Sequence, residues 1–363
     1  MYIIVLGTRG IPDIQGGVET HCEELYPRLV DLGANVTLIT RKSYVKELSQ
    51  TDFRGVKLKH IFTPKKKSIE AIVHTFLGVL YARTQNPDLL HIHAIGPSLL
   101  VPFARILGLK VIVTNHGPDY DRQKWGKLAK WVLKTGEKLG TQYANKVIVI
   151  SNVIKDILKN NYGRVDTELI YNGVNLPVKA TDHTYLDTLG LEPEKYIIAV
   201  GRFVEEKGFH DLIDVYKQLN TEIKLVLVGD ADHESDYSKQ LKLEAKKNGV
   251  VLTGFIKGEK LNQIFSYAKL FVMPSYHEGL PIALLEAMSY NLDVLVSNIP
   301  ANSEVSLGTN DYFEVSQIED LKTQLEKKLR NTQNRDFSQI ILKKYNWDII
   351  AKEVFNLYQT IIK

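Results

Sequence analysis

Short apolar runs alternate along the chain with longer segments whose apolar residues recur at helical spacing. The first run, Tyr2 to Leu6, ends at Gly7, and the segment from Thr20 to Leu32 carries leucines three or four residues apart. A short apolar run that ends in glycine is typical of a buried parallel strand, whereas the leucine spacing is typical of a helix. Further apolar runs in the first half lie at 36–40, 89–93, 111–114 and 147–151.

The second half of the chain repeats this pattern. The run from Tyr196 to Val200 ends at Gly201, and others follow at 224–229, 250–253, 270–273 and 293–296. Strands that alternate with helices favour a doubly wound parallel sheet covered on both faces. We therefore predict an α/β protein with two Rossmann-like domains, residues 1–175 and residues 176–344.

The predicted boundary lies in a stretch with many turn-forming residues, from Asn172 to Glu194. The last segment, about 345–363, has apolar residues at the spacing of an amphipathic helix. Such a helix needs a surface to pack against, either on its own domain or on the first. We assign it to the first domain, to which it would cross back.

Composition narrows the class of protein. The length of 363 residues agrees with two domains, and no apolar run approaches the roughly 18–20 residues of a membrane span. We interpret the opening run of five residues as a buried strand and not as a signal peptide. A single cysteine, Cys22, excludes an internal disulfide framework and a cysteine-rich zinc site, and it suits a reducing compartment. We expect a cytoplasmic protein.

The net charge of +4 conceals an uneven distribution. Residues 1–175 carry 24 Lys and Arg against 15 Asp and Glu, a net charge of +9, whereas residues 176–363 carry 22 against 27, a net charge of −5. The first half therefore suits an anionic partner. Its lysines gather at 57, 59 and 65–67 and, at helical spacing, at 127, 130, 134 and 138 of the segment 124–139.

A basic amphipathic helix is compatible with an anionic membrane surface. We expect peripheral docking on the inner face of the cytoplasmic membrane, where this half of the chain would receive a lipid-linked saccharide. Nucleic acid is not an expected partner, because aromatic residues are not interleaved with the cations and no base-reading motif occurs.

The first loop, which joins a strand to a helix, contains Gly7, Gly10, Gly16 and Gly17. Glycine lets the backbone approach a ligand, and a helix start offers free N–H groups to an anion. The spacing matches neither the dinucleotide-binding nor the P-loop pattern, which argues against a dehydrogenase and a P-loop nucleotidase.

Two segments of the second half carry candidate chemistry. Arg202 and Lys207 follow a predicted strand, where open α/β sheets bind ligands, and both can neutralise phosphate. Glu278 lies in a loop and Glu286 on the helix that Pro281 opens. Carboxylates accept hydrogen bonds from the hydroxyl pairs of sugars. A glycosidase with paired carboxylates is the competing interpretation.

Taken together and in order, these motifs resemble the retaining GT-B glycosyltransferases of family 4. Gly16 with Gly17, Arg202 with Lys207, and the two glutamates separated by seven residues carry the resemblance. The segment 115–130, which begins Asn-His-Gly-Pro-Asp, and the opening Gly-Thr-Arg-Gly-Ile-Pro resemble a subgroup of bacterial polysaccharide glycosyltransferases that includes rhamnosyltransferases. The resemblance covers essentially the whole chain.

The resemblance implies a GT-B fold, with the two Rossmann-like domains facing each other across a cleft, and a nucleotide-diphosphate sugar as donor substrate. It assigns the leaving diphosphate to Arg202, Lys207 and the N–H groups of Gly16 and Gly17. It assigns the binding of the nucleotide ribose to Glu286.

The transferred sugar is assigned by the same resemblance to Glu278, above the backbone of Gly279 and Leu280, with His116 facing the reacting sugar. His116, Arg202, Lys207 and Glu278 are the expected catalytic residues; Asp119 and Arg122 are the expected acceptor contacts. Breakage of the sugar–phosphate bond places negative charge on the diphosphate, which the cations and N–H groups stabilise. The departing phosphate oxygen would take the acceptor's proton, so no protein nucleophile is needed and the anomeric configuration is retained.

Neither a metal nor another cofactor is expected. Asp119 with Asp121, and Asp230 with Asp232, form the Asp-x-Asp triplets that bind a divalent cation in another glycosyltransferase fold. Here cationic side chains already serve the phosphates. We expect the rings of His91 and His93 to point to opposite faces of their strand, buried in the sheet.

Several alternatives remain open. UDP is the favoured nucleotide, because Glu286 suits a ribose diol, but the rhamnosyltransferase resemblance admits dTDP-rhamnose. A nucleotide-sugar epimerase would share the fold and convert the donor without an acceptor, and a scaffold protein would bind the donor without turnover. The acceptor is either a lipid-linked saccharide of cell-surface polysaccharide synthesis or a small soluble sugar.

Overall fold

A computed structural model describes residues 1–45, 47–64, 67–121, 126–231 and 234–362. It divides into two compact units. The first unit consists of Met1–Gly173 together with Trp347–Lys363, and the second of Val174–Asn346. The terminal segment thus belongs to the first unit, and the change of unit falls at residue 174, near the predicted linker.

The first unit is built on an eight-stranded sheet in the order β3-β4-β2-β1-β5-β6-β7-β8. All neighbouring strands are parallel except β3 and β4, which form an antiparallel edge. The strands are β1 (Tyr2–Leu6), β2 (Asn35–Arg41), β3 (Asp52–Phe53), β4 (Val56–Ile61), β5 (Leu89–His93), β6 (Val111–Asn115), β7 (Lys146–Val149) and β8 (Glu168–Leu169). The helices are α1 (Gly17–Asp31), α2 (Lys67–Gln85), α3 (Val101–Ile106), α4 (Lys127–Tyr143) and α5 (Asn152–Tyr162).

The second unit has a six-stranded sheet in the order β11-β10-β9-β12-β13-β14, with every neighbouring pair parallel. Its strands are β9 (Tyr196–Val200), β10 (Lys224–Val228), β11 (Val251–Gly254), β12 (Leu270–Met273), β13 (Asp293–Ser297) and β14 (Tyr312–Phe313). Its helices are α6 (Thr184–Thr188), α7 (Phe209–Tyr216), α8 (Asp236–Lys247), α9 (Gly258–Ser266), α10 (Ile282–Ser289), α11 (Pro300–Ser303), α12 (Ile318–Arg330) and α13 (Ser338–Lys344).

The predicted α/β class with two parallel sheets is therefore confirmed. The central strands form where the short apolar runs occur, because strands covered on both faces need apolar residues at every position. The strand expected at 147–151 ends at Val149, since the Ser151 hydroxyl accepts a hydrogen bond from the Ile154 N–H (3.3 Å) and caps α5. No described helix meets the length and apolarity that a bilayer span requires.

The chain ends in α14 (Trp347–Ile362), which packs on α1 in the first unit. Its buried residues recur at helical spacing and share the core with the apolar face of α1 and with β1. Burial of each large side chain contributes about 1.5–3 kcal/mol relative to exposure. The buried residues of α14 are Trp347, Ile350, Ala351, Val354 and Tyr358.

Candidate functional site

In the second unit, the loops after β9 and β12 meet at the carboxyl edge of the sheet. These strands are neighbours, so the chain leaves the sheet twice at adjacent points. The short 3₁₀ turn Glu205–Lys207 follows β9, and Glu278 follows β12. The Lys207 ammonium lies 2.5 Å from a Glu278 carboxylate oxygen, with the side chains only 18% and 11% exposed. The structure therefore pairs two of the four predicted catalytic residues.

Burial and charge oppose each other at Glu278. Burial raises the pKa of its carboxyl group, but the charge of the Lys207 ammonium and its hydrogen bond lower it, and the net pKa is below the ordinary value. Glu278 is therefore a carboxylate at neutral pH, which accepts hydrogen bonds and cannot donate them.

Gly208 brings the two loops together. Its φ of +63° is in the left-handed region, and a Cβ there would lie 2.1 Å from the carbonyl oxygen of Pro274. The Tyr276 N–H also donates to the Glu206 carbonyl oxygen (2.9 Å) across the same gap. Only glycine allows this approach, and the backbone contacts fix the distance between Lys207 and Glu278.

The remaining predicted donor residues of this unit lie in the same two loops and in the helix that follows the second loop. Arg202 follows β9 after Gly201 and is half-buried. Gly279 is half-buried and Leu280 buried in the loop that leads into α10. Pro281 is the N-cap residue of that helix and not, as expected, its first helical residue. Glu286 is half-buried on α10, whose adjoining residues Leu285 and Ala287 are buried.

Asp230 belongs to one of the two Asp-x-Asp triplets, for which no bound cation was expected. Its carboxylate accepts from Lys242 on α8 at 2.6 Å, while Asp232 lies outside the described residues. The triplet formed by Asp119 and Asp121 occupies a 3₁₀ turn after β6. Asp119 is half-buried, and Arg122, its predicted partner in acceptor binding, also lies outside the described residues.

In the first unit, an Arg9–Glu19 ion pair shapes the glycine-rich loop. One Glu19 carboxylate oxygen accepts from the Arg9 backbone N–H (3.0 Å) and from Arg9 Nε (3.1 Å). Arg9 also donates to the Gln15 carbonyl oxygen. Burial raises the pKa of Glu19, but Arg9 lowers it below the ordinary value, so the pair is charged.

The same ion pair leaves no room for a side chain at Gly16. Gly16 has a φ of +150°, and a Cβ would lie 2.0 Å from the other Glu19 oxygen. Gly17, the first residue of α1, is exposed, as the predicted contact with a diphosphate requires. Sequence reasoning missed Arg9 and Glu19. An arginine inside the loop and a glutamate in the first helical turn were the available signal.

His116 lies directly after β6, next to the histidines at the end of β5. Its Nε2 is 2.9 Å from Nδ1 of His93, and its ring lies edge-on to that of His21, with the centroids 5.0 Å apart. His21 Nδ1 contacts the Asn172 side-chain oxygen (2.7 Å). His91 and His93 are both fully buried, as expected.

The expected orientation of those two rings was wrong. His91 and His93 stack on each other with centroids 4.2 Å apart, because residues two apart in a strand share a face. Burial is the main cause that lowers the pKa of every ring in the cluster. The pKa falls to about 4 for His21 and to about 3 for His91, and it lies well below the ordinary value for His93 and His116.

A buried carboxylate holds the backbone beside His116. Glu137 on α4 accepts hydrogen bonds from the Asn115 amide (3.0 Å) and the Tyr120 hydroxyl (3.0 Å). The Asn115 side-chain oxygen accepts in turn from the Gly117 N–H (2.9 Å). Both neighbours of His116 are thereby tied down, a support that the sequence did not reveal.

Among the described residues, His21, His93 and His116 each bring a ring nitrogen within 4.8 Å of the others. Imidazole nitrogens are common ligands of zinc and copper. In tetrahedral zinc sites the ligand nitrogens lie about 3.4 Å apart, given Zn–N bonds of 2.0–2.1 Å. Two nitrogens of the cluster, His93 Nδ1 and His116 Nε2, are closer than this, at the 2.9 Å of a hydrogen bond.

Comparisons with known proteins show the family of the chain. The family model described as Glycosyltransferase Family 4 matches residues 15–177, and the model described as Glycosyl transferases group 1 matches residues 186–343. The two matched ranges together include Gly16, Gly17, His116 and all predicted donor residues of the second unit.

Individual relatives are similar over much of their length. The capsular polysaccharide biosynthesis glycosyltransferase CapH of Staphylococcus aureus is 28% identical over 257 residues, 67% of this chain and 68% of the relative. The putative teichuronic acid biosynthesis glycosyltransferase TuaC of Bacillus subtilis is 25% identical over 63% of this chain and 57% of the relative. The crystal structure of Anabaena HepE in complex with UDP-glucose has a TM-score of 0.82 and 19% identity, and the match covers 99% of this chain and 100% of that one.

Proposed function

Because the chain belongs to the family-4-like glycosyltransferases with the GT-B fold, we propose that it transfers a sugar from a UDP-sugar, with retention of configuration, onto a lipid-linked saccharide. It is a glycosyltransferase with a nucleotide-sugar donor, and its relatives act in polysaccharide biosynthesis. The Lys207–Glu278 pair carries the proposal: a cation for the diphosphate stands beside a carboxylate for sugar hydroxyls.

The choice of UDP rests on Glu286 and on one relative. A carboxylate can accept hydrogen bonds from both hydroxyls of a ribose, whereas the deoxyribose of dTDP offers only one of them. The similar Anabaena protein was crystallised with UDP-glucose. Thermal-shift titrations with UDP-, GDP- and dTDP-sugars test this choice; a larger shift with dTDP-rhamnose would overturn it.

The proposed mechanism stabilises the leaving group. As the sugar–phosphate bond breaks, Arg202 and Lys207 meet the negative charge of the diphosphate, and Gly16 and Gly17 offer N–H groups to it. A phosphate oxygen takes the proton of the acceptor hydroxyl, so attack and departure occur on the same face. Glu278 orients the sugar and forms no covalent bond with it.

The reaction product tests this mechanism. Incubation with UDP-sugar and an acceptor should yield a new glycosidic bond whose anomeric configuration, read by NMR, equals that of the donor. Inversion would contradict the mechanism, and isomerised donor without transfer would indicate an epimerase. Activity should survive an excess of chelator, because side chains and backbone serve the phosphates; loss that magnesium reverses would refute this part.

A membrane-bound acceptor is supported by the surface of α4. Leu128 and Trp131 are 75% and 64% exposed, and Lys127, Lys134 and Lys138 are exposed on the same helix. Apolar rings and chains among lysines suit the headgroup region of an anionic bilayer. Lys65 and Lys66, which also entered the prediction, lie outside the described residues.

Vesicle flotation tests the membrane proposal. The protein should bind vesicles that contain phosphatidylglycerol at low salt, and Trp131→Ser should weaken binding without changing turnover on a water-soluble acceptor analogue. Trp131 is exposed, so this variant keeps the core intact. Equal binding to neutral vesicles, or none to anionic ones, would leave a small soluble sugar as the acceptor.

A further inference from the structure

A continuous chain of polar contacts leads from the interior of the first unit to His116. The Tyr26 hydroxyl on α1 lies 2.5 Å from His93 Nε2, and the opposite nitrogen of that ring, Nδ1, lies 2.9 Å from His116 Nε2. Tyr26 and His93 are fully buried, whereas His116 is half-buried. Of these three residues, His116 is therefore the one that a ligand can reach.

The direction of this chain follows from counting protons. The Tyr358 hydroxyl lies 2.5 Å from His91 Nδ1, and His91 Nε2 lies 2.7 Å from the Thr114 hydroxyl. A phenol O–H is more acidic than the N–H of a neutral imidazole, so we assign Tyr358 as the donor to Nδ1, which leaves the His91 proton on Nε2. Tyr26 lies farther from that same His91 nitrogen, at 3.0 Å. By the same reasoning we assign the single Tyr26 proton to His93 Nε2, the shorter of the two histidine contacts of Tyr26.

Each neutral imidazole carries one N–H, which fixes the next two links. His93 accepts on Nε2 and so holds its proton on Nδ1, from which it donates to His116 Nε2. His116 in turn holds its proton on Nδ1. Burial keeps the rings neutral, since it lowers the pKa of both His93 and His116.

We propose that Tyr26 and His93 are positioning residues that hold His116 in the Nδ1–H tautomer, so that it meets the substrate as a neutral hydrogen-bond donor. The partner of Nδ1–H is then an acceptor oxygen, from a sugar hydroxyl or a phosphate. In this tautomer Nε2 is occupied by His93, so His116 cannot act as the base that deprotonates the acceptor. The catalytic consequence rests on the proposed function, but the tautomer does not.

Metal coordination is the competing explanation of the same nitrogens. It would require unprotonated nitrogens on His21, His93 and His116, whereas the 2.9 Å contact between His93 and His116 has the length of a hydrogen bond. That separation is also shorter than the roughly 3.4 Å between two nitrogens bound to one tetrahedral zinc ion. The hydrogen-bonded chain accounts for these distances without any movement of the rings.

Long-range proton–nitrogen NMR on the whole chain, labelled with ¹⁵N-histidine, reads the tautomer directly. The His116 signals are assigned by their loss in His116→Gln. We expect a protonated Nδ1 and an unprotonated Nε2 without any substrate. A protonated Nε2, or a zinc-induced change at one equivalent of Zn²⁺ that His21→Asn abolishes, would overturn the proposal.

The Tyr26→Phe variant tests whether the Tyr26 hydroxyl causes the preference of His116 for the Nδ1–H tautomer. Without the hydroxyl, nothing selects between the two tautomers of His93, so His116 should populate both, and turnover should fall by roughly half or more with the donor KM unchanged. Tyr196→Phe is the matched control, since that buried hydroxyl donates to the Ile264 carbonyl oxygen (2.7 Å) in the second unit. It should change neither the tautomer nor the rate.

The two variants separate the proposal from the proposed function. An unchanged His116 tautomer in Tyr26→Phe would refute the role of Tyr26 whatever reaction the protein catalyses. The expected NMR result in a protein that transfers no sugar would leave the tautomer intact and refute only its catalytic meaning.

Discussion

At the residue scale, the site of the second unit depends on a carboxylate that is buried and yet charged. Glu278 remains ionised because Lys207 lies 2.5 Å away, and Lys207 is held there by the loop contacts of Gly208. Truncation of one partner leaves the other charge buried and without its counterion, which is strongly destabilising in closed sites. A diphosphate can take over part of that role, because it also carries negative charge to Lys207.

Substitutions of Glu278 and of Glu286 should therefore affect different properties, turnover in the first case and UDP binding in the second. Glu278→Ala should lower turnover by about 10²–10³-fold, the typical loss when one interaction with the reacting centre is removed, while UDP alone still binds. Glu286→Ala should weaken UDP binding, because it removes the proposed ribose contact. Calorimetric titration with UDP and steady-state rates measure the two effects. Loss of UDP binding in Glu278→Ala would show that the two roles are assigned wrongly.

A glycine substitution measures the fit between the two loops. Gly208→Ala should destabilise the protein by more than Gly249→Ala, although both residues have a similar φ, +63° and +69°. The left-handed backbone costs alanine about 1 kcal/mol at either position. Only at Gly208 does the new Cβ also meet backbone, the Pro274 carbonyl oxygen at 2.1 Å. Urea unfolding compares the two variants, and equal losses would mean that the loops separate freely.

At the scale of elements, an ion pair joins the N-terminus of α1 to the loop that precedes it. Arg9 and Glu19 join the loop to the first turn of α1, and Gly16 fits only because it has no side chain. The negative charge of Glu19 is neutralised by Arg9, so the positive end of the helix dipole remains available to an incoming anion. A rigid loop also holds its N–H groups in place before the donor arrives.

Glu19→Gln should raise the donor KM about tenfold, because the loop loses the charge that holds Arg9 and the N–H groups are no longer preset. Glu24→Gln on the same helix is the control. Glu24 pairs with Arg28 four residues later, on a more exposed surface, and its loss should change KM little. Similar KM values for the two variants would remove Glu19 from the site.

At the scale of the whole molecule, the positions of the central strands could be anticipated, whereas the site's internal contacts could not. Apolar runs located the central strands, because a strand buried on both faces has apolar residues at nearly every position. The contact of Lys207 with Glu278 arises only because β9 and β12 are neighbours, a pairing between segments more than 70 residues apart. The prediction that the rings of His91 and His93 point to opposite faces was wrong, because residues two apart in a strand share a face.

The buried histidines make the first unit sensitive to acid. Their pKa values are lowered in the folded state, so the unfolded chain binds protons first, and stability is complete above about pH 6.5 and falls below it. His21 contributes down to its folded pKa of about 4, and His91 down to about 3. Each neutral buried ring removes up to about 1.4 kcal/mol per pH unit in this window.

Urea unfolding at pH 7.5, 6.5 and 5.5, followed by Trp347 fluorescence in a variant without the other two tryptophans, measures this loss. Trp347 is a suitable probe because its ring lies 5.4 Å from that of His21. Stability should drop most between pH 6.5 and 5.5. A flat profile would mean that the rings are protonated, or exposed to water, in the folded protein.

The helix α14 has a consequence for synthesis of the chain. The second unit is continuous, from Val174 to Asn346, whereas the first needs residues from both sides of it. On the ribosome the second unit can complete its core while the apolar face of α1, with Leu25, Tyr26 and Leu29, still lacks the partner that covers it in the finished protein. Translation therefore leaves this nascent surface open to chaperones until α14 emerges, some 170 codons after the rest of the first unit.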